Sequence, residues 1–178
     1  MTMSTLNEYL RQKRASWLAR HEKARDPATG PVPLAASVRA EGRSGLRRIR
    51  IRDFQIVSDS TPDFAGYDLG PGSPEILLGA LGSCLTHSTL IQAADREVPL
   101  DDLSVDVTAA IDPRGGAPGF DHIPTHPTSI AYTLRIASPA DAATIAGLVE
   151  AVERFCPLLN LLRKGVEVAG RVEHRATA

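Results

Sequence analysis

Residues 103–111 (LSVDVTAAI) place apolar side chains at the odd positions and mostly polar ones at the even positions, and Ile130, Tyr132, Leu134 and Ile136 repeat the alternation. Side chains of an extended chain point to opposite faces with a period of two, so both segments predict half-buried strands of an antiparallel sheet. Val166, Val168 and Val172 carry the same signal and predict a further strand near the C-terminal end. Upstream, residues 33–40 and 46–57 read as two strands joined through residues 41–45 (EGRSG), a hairpin-like turn whose two glycines tolerate positive φ.

Elsewhere the apolar period lengthens to that of a helix. Thr5 with Glu8 three residues on has the form of a capping box, and Leu6, Leu10, Trp17 and Leu18 mark a stripe that predicts a leading helix to about residue 24. Its cations, Arg11, Lys13, Arg14, Arg20, Lys23 and Arg25, read as a solvated face rather than a docking surface. Ser73, Pro74 and Glu75 supply an N-cap, a proline at the first helical position and a first-turn acid, predicting a helix over 74–95. That segment is apolar nearly all round as far as Gln92, the mark of a buried central helix. Gly79 and Gly82 inside it point to close approach of another backbone or to a kink. Ser138, Pro139 and Asp141 open another helix with Ile145, Leu148, Val149, Val152 and Phe155 on one face, and Pro157 begins a short one through Leu162.

Residues 27–33 (PATGPVP) punctuate the chain, dividing an N-terminal helical extension and linker, residues 1–32, from one domain at 33–178. After the leading helix the order is ββαββαβ, an α+β arrangement of helices on a mainly antiparallel sheet. At 178 residues and 43% hydrophobic the chain can bury one sizeable core. A formal net charge of −1 gives no electrostatic reason to expect nucleic acid or an anionic membrane as partner. The polar opening residues lack the apolar stretch of a signal peptide and no run approaches about 18 apolar residues, so a cytoplasmic location without membrane contact is expected.

Two cysteines in a reducing compartment are a poor structural framework, and a disulfide there is more often transient and catalytic. Cys84 sits in the apolar helix and Cys156 directly before Pro157. A thiolate can reduce a peroxide, and a second thiol within reach converts the sulfenic acid into a recyclable disulfide. Burial alone raises a thiol pKa, so the thiolate needs a cation beside it. Cys156 reads as lying near the N-cap of the short helix, where the dipole favours thiolate. His87, three residues after Cys84, reads as a buried hydrogen-bonded histidine ahead of a group that tunes the thiol, and His122 and His126 as loop residues ahead of zinc ligands.

Residues 64–84 (FAGYDLGPGSPEILLGALGSC), followed by Asp112-Pro-Arg-Gly115 and Cys156-Pro157, resemble the OsmC/Ohr family of thiol-dependent hydroperoxide reductases, and the resemblance extends over roughly residues 34–175. It implies an intertwined homodimer in which mainly antiparallel sheets pack on a buried central helix, with active sites at the subunit interface. It further implies organic or lipid hydroperoxides as substrates, an external dithiol reductant, and no metal or organic cofactor. By resemblance Cys84 is the peroxidatic and Cys156 the resolving cysteine, and Glu75 orients an arginine that activates the thiol. Arg43, in the glycine-flanked turn, matches that arginine best, with Arg47 and Arg48 as alternatives. Glu75 also serves simply as a first-turn acid, and nine residues at about 100° each set it opposite Cys84 on a straight helix, so a bend, another orientation or another subunit must bring the two together. The competing reading is a non-enzymatic dimer that binds an apolar or acyl small molecule in the same pocket.

Overall fold

The computed structural model describes residues 5–42 and 44–176. Helix α1 (Leu6–Ala24) leads into a three-stranded antiparallel meander, β1 (Ser37–Glu41), β2 (Leu46–Ile51) and β3 (Phe54–Ser58). Helix α2 (Ser73–Asp95) follows, then the antiparallel pair β4 (Asp102–Ala110) and β5 (Thr128–Ala137), then α3 (Ala142–Phe155) and α4 (Pro157–Lys164).

The core forms around the C-terminal half of α2. Leu81, Leu85, Ala93 and Ala94 meet Val98 and Leu100 after the helix, Leu148 and Val152 of α3, Cys156, Leu159 of α4, and Leu10 of α1. On β4 and β5 the predicted alternation holds over most of its length: Leu103 pairs with Ile136, Val105 with Leu134 and Val107 with Tyr132, and this face packs against α2, whereas Ile130 is exposed and Ile111 lies exposed beyond the end of β4. At Gly82 sheet and helix pack tightly, since a Cβ there would lie 3.3 Å from Val107 Cγ2, whereas Gly79 has nothing within 4 Å. The missing methyl spares Val107 a displacement of a few tenths of an ångström.

Helix α1 is docked on this body. Its capping box forms as predicted, Thr5 Oγ1 accepting from the Glu8 N–H and Glu8 Oε2 from the Thr5 N–H. Asn7 Oδ1 accepts from the Leu100 N–H at 2.8 Å, Leu10 is buried, and Arg14 pairs with Glu97 at 3.1 Å.

Several sequence expectations need correction. The segment 46–57 is two strands, because Arg52 at φ 55° turns the chain between Ile51 and Phe54. Among the described residues no strand forms over 166–172; Val168 is 86% exposed, and no strand of this chain pairs with that segment to give it a ladder. The N-cap of α2 is Gly72, one residue before the expected Ser73, and Asp141 alone caps α3, its Oδ1 accepting from the Thr144 N–H at 2.7 Å. Helix α2 runs unbroken, so neither glycine interrupts it, and its buried residues begin only at Leu81. By length and composition α2 is also apolar enough to cross a membrane, contrary to the expectation that no segment is; here it is the central helix, packed by α1, β4, α3 and α4.

A loop nobody would single out by periodicity delivers α2 to its place. Asp59 is buried and its carboxylate accepts from the N–H groups of Ser60, Tyr67 and Leu69 at 2.8, 3.1 and 3.2 Å. These bonds, first that of Ser60, hold its pKa below the ordinary carboxylate value despite burial. Gly66 closes the loop against the Ser60 carbonyl, at a spot where a Cβ would sit 1.9 Å from the oxygen.

Candidate active site

The two cysteines, 72 positions apart in the chain, meet with their sulfurs 3.5 Å apart. Cys84 projects from the middle of α2 and is half-buried; Cys156 occupies the single residue between α3 and α4 and is fully buried. Both are free thiols. Pro157 dictates the geometry at Cys156: it disfavours helical backbone at the residue before it, so Cys156 is extended (φ −70°, ψ 114°), ending α3 and preceding α4.

Three contacts hold this break. Asn160 Nδ2 donates back to the carbonyl oxygens of Glu153, Arg154 and Cys156 at 3.1, 3.1 and 2.8 Å, taking up acceptors that the end of α3 leaves open. Tyr132 of β5 donates to Glu153, which also accepts from both terminal nitrogens of Arg163 on α4. Burial and the Glu153 carboxylate push the Tyr132 hydroxyl up to about 12, and the same two partners hold Glu153 below its usual range.

Burial raises the Cys84 pKa above the ordinary thiol value, and the neighbouring Cys156 thiol adds to the rise. The Leu158 N–H, at the start of α4, and the Ser88 side chain pull the other way without reversing it. The amide at the α4 N-terminus thus acts on Cys84, a residue of another helix, which the sequence reading did not foresee.

Cys84 opens onto a cavity of about 730 Å³, while Cys156 lies behind it and does not line it. Its walls are His87, Ser88, Ile91 and Gln92 of α2, Phe155 and Pro157 at the α3–α4 break, and the second half of α1, including Lys13, Trp17, Arg20 and Lys23. The α1 cations are therefore not all on a solvated face. His87 is exposed toward this cavity rather than buried, and desolvation together with the Lys13 charge lowers its pKa.

Glu75 is elsewhere. Its Oε2 accepts from the Gly72 N–H at 2.6 Å, and it lines a second cavity with Leu78, Gly79, Gly82, Ser83 and Thr86, across the helix from the thiol. Arg43 lies outside the described residues. Its alternatives are both engaged within the meander: Arg47 donates to Ser58, Ser60 and the Gly45 and Asp59 carbonyls, and Arg48 forms a two-point pair with Glu41 at 2.7 Å. His122 and His126 sit in the loop between β4 and β5. Among the described residues no cluster of three or more His, Cys, Asp or Glu is arranged to hold a metal ion.

Residues 66–170 match the family model described as OsmC-like protein, more than half of the chain. The crystal structure of an OsmC-like protein from Mycoplasma pneumoniae superposes with a TM-score of 0.65 at 19% identity, covering 76% of this chain and 91% of that one. An organic hydroperoxide resistance protein OsmC from Legionella pneumophila superposes at 0.55 and 14% identity, covering 78% of this chain and 95% of that one. A putative osmotic stress induced and detoxification response protein from Psychrobacter arcticus gives 0.57 at 16%, covering 75% and 90%. At these identities the likeness establishes a shared fold of helices and antiparallel sheet. Among curated proteins none matches the chain.

Proposed function

The chain belongs to the OsmC-like protein family, and from that premise we propose that it is a thiol-dependent reductase of organic hydroperoxides in which Cys84 attacks and Cys156 resolves. The observation that carries the reading is the 3.5 Å approach of a cavity-facing thiol and a fully buried one. A peroxide entering the cavity meets Cys84 first. The Cys84 thiolate attacks the hydroxyl oxygen of R–O–OH, the O–O bond breaks as two electrons pass from sulfur to oxygen, and the alkoxide leaves, taking up a proton to become the alcohol. Cys84 is then a sulfenic acid. The Cys156 thiol displaces its oxygen as water and forms the S–S bond, and an external dithiol reduces that bond while becoming a disulfide itself.

The thiolate requires a positive neighbour, because burial and Cys156 together hold the Cys84 pKa high. We assign that role to Arg43, oriented by Glu75, with the site completed in a homodimer so that the partner subunit's Glu75 reaches the thiol. The unpaired meander supports the dimer: Val38 and Phe54 are 60% and 64% exposed on it, and Val166, Val168 and Val172 project from a segment that lacks a strand partner within the chain. No cofactor enters this scheme.

The test is anaerobic addition of one equivalent of cumene hydroperoxide to reduced protein. Two thiols lost per peroxide, with peptide mapping that finds the Cys84–Cys156 bond within one chain, is the expected result. The same raised pKa and large cavity favour the second reading, a binder of an apolar or acyl molecule; unconsumed peroxide with both thiols intact decides for it. The activating role of Arg43 is read separately, from the pH dependence of Cys84 alkylation in a Cys156→Ser background, where Arg43→Ala should move the alkylation midpoint to higher pH.

A further inference from the structure

Half of the Cys84 cavity is built by a helix that lies outside the residues matching the family. Lys13, Trp17, Arg20 and Lys23 recur at spacings of three and four, which puts them on one face of α1, and that face is turned to the cavity. The wall is fixed in place by the Asn7, Leu10 and Arg14 contacts, all on the first half of α1. Arg14 and Arg25 are paired with Glu97 and Glu22, but among the described residues no carboxylate lies within ion-pair distance of Lys13, Arg20 or Lys23. Among the described residues no acidic one lines the cavity. Trp17 lines the same cavity, while its Nε1 is sequestered from solvent and makes no hydrogen bond. Facing this wall are the apolar side chains of Ile91, Phe155 and Pro157 and the amide of Gln92, a residue only 7% exposed.

We propose that the second half of α1 is an anion subsite that selects the substrate, so that the preferred hydroperoxide is an amphiphile with an apolar body against Ile91, Phe155 and Pro157 and a carboxylate held by Lys13, Arg20 and Lys23. Three like charges around one cavity repel one another, and a bound anion removes that repulsion as well as gaining its own attraction. The volume falls in the range of cavities that enclose small organic ligands. This subsite rests on the peroxidase reading for its role in turnover, but not for its existence.

Binding can therefore be tested apart from catalysis. Trp17 is the only tryptophan, so the fluorescence of the Cys84→Ser protein reports on the cavity directly. Decanoate should produce a saturable change at about tenfold lower concentration than methyl decanoate, and Arg20→Gln with Lys23→Gln should erase that preference. Decyl phosphate is the third arm: tighter binding than decanoate would replace the carboxylate by a phosphate headgroup and overturn the substrate class. Equal binding of acid and ester, or an unchanged preference in the double variant, overturns the subsite. Lys13→Gln alone, at the other end of the wall, should weaken decanoate binding without changing the circular dichroism. With Cys84 present, kcat/KM for linoleic acid hydroperoxide should exceed that for its methyl ester by about tenfold, and the ratio should collapse in the double variant. Selective decanoate binding without turnover of any hydroperoxide would sink the peroxidase reading and leave the anion site standing. Turnover of cumene hydroperoxide with no advantage for the acid would do the reverse.

Discussion

The two faces of α2 are finished to different degrees. On the Cys84 face, α1, α3 and α4 close over the helix, Leu85 and Leu148 are fully buried, and the thiols are held at 3.5 Å by a break that Asn160 and the Tyr132–Glu153–Arg163 chain keep in shape. On the Glu75 face, Gly79 looks into open space, a second cavity remains, and the meander makes no extensive contact with the helix. A single chain thus brings the two thiols together, while the Glu75 side of the helix stays open among the described residues. On the function proposed above, this asymmetry corresponds to a division of labour: the fold of one chain brings the sulfurs together, and a second copy brings Glu75 to them.

The largest effect that can break this picture comes from mixed dimers. Cys84→Ser should reduce hydroperoxide consumption to background, a loss of at least about a thousandfold. Glu75→Gln alone should lower activity by about tenfold if it positions the activating arginine. Mixing the two inactive or weakened proteins and allowing subunits to exchange should restore about a quarter of the native sites, because a mixed dimer contains one Cys84 facing an intact Glu75 of the other copy. Activity no higher than the average of the two parents would place Glu75 in its own subunit's site or in no site.

Stability should respond unequally on the two faces. Leu85→Ala, in the closed core, should cost about 2–5 kcal/mol in chemical denaturation. Gly79→Ala meets no atom within the chain and should raise the helix propensity of α2, stabilising a lone chain by up to about 1 kcal/mol. If a second copy covers that face, the same methyl should instead weaken dimerisation by sedimentation or light scattering. A variant that is neither more stable nor weaker in association would count against a close interface at Gly79.

The pH response is the finest probe. With its pKa raised, Cys84 contributes stability that is fully present below the unfolded thiol value of about 8.5 and is lost as pH rises through the folded value. Tyr132, raised to about 12, has the same sign: its contribution holds below about 10 and fades between there and 12. Tyr132→Phe should therefore flatten the alkaline limb of the stability profile and cost about 1 kcal/mol at neutral pH. Cys84 alkylation should show a lower midpoint at concentrations that favour the dimer than on dilution; an identical midpoint at all concentrations would remove the partner from thiol activation.

How far the sequence reaches is visible in particular elements. Local chemistry alone determines the capping box of α1, the alternation of β4 and β5, the amphipathic face of α3, and the break at Cys156-Pro157, because each depends on side chains a few residues apart or on the fixed geometry of proline. The family pattern around Cys84 also picks out the thiol pair. The buried carboxylate of Asp59, the return of Asn160 to the end of α3, and the Leu158 amide facing Cys84 carry no periodic signal, since each is a contact between a loop or helix end and whatever the fold sets beside it. The same holds for the α1 cations, which look like any solvated basic face until Leu10 and Asn7 dock the helix over the cavity. Composition and period fix which residues must be covered; only the tertiary structure decides what covers them, because that depends on distances between segments far apart in the chain. For Val166, Val168 and Val172 the alternation is not enough to make a strand: a strand's hydrogen bonds need a neighbour, and among the described residues the fold sets none beside them.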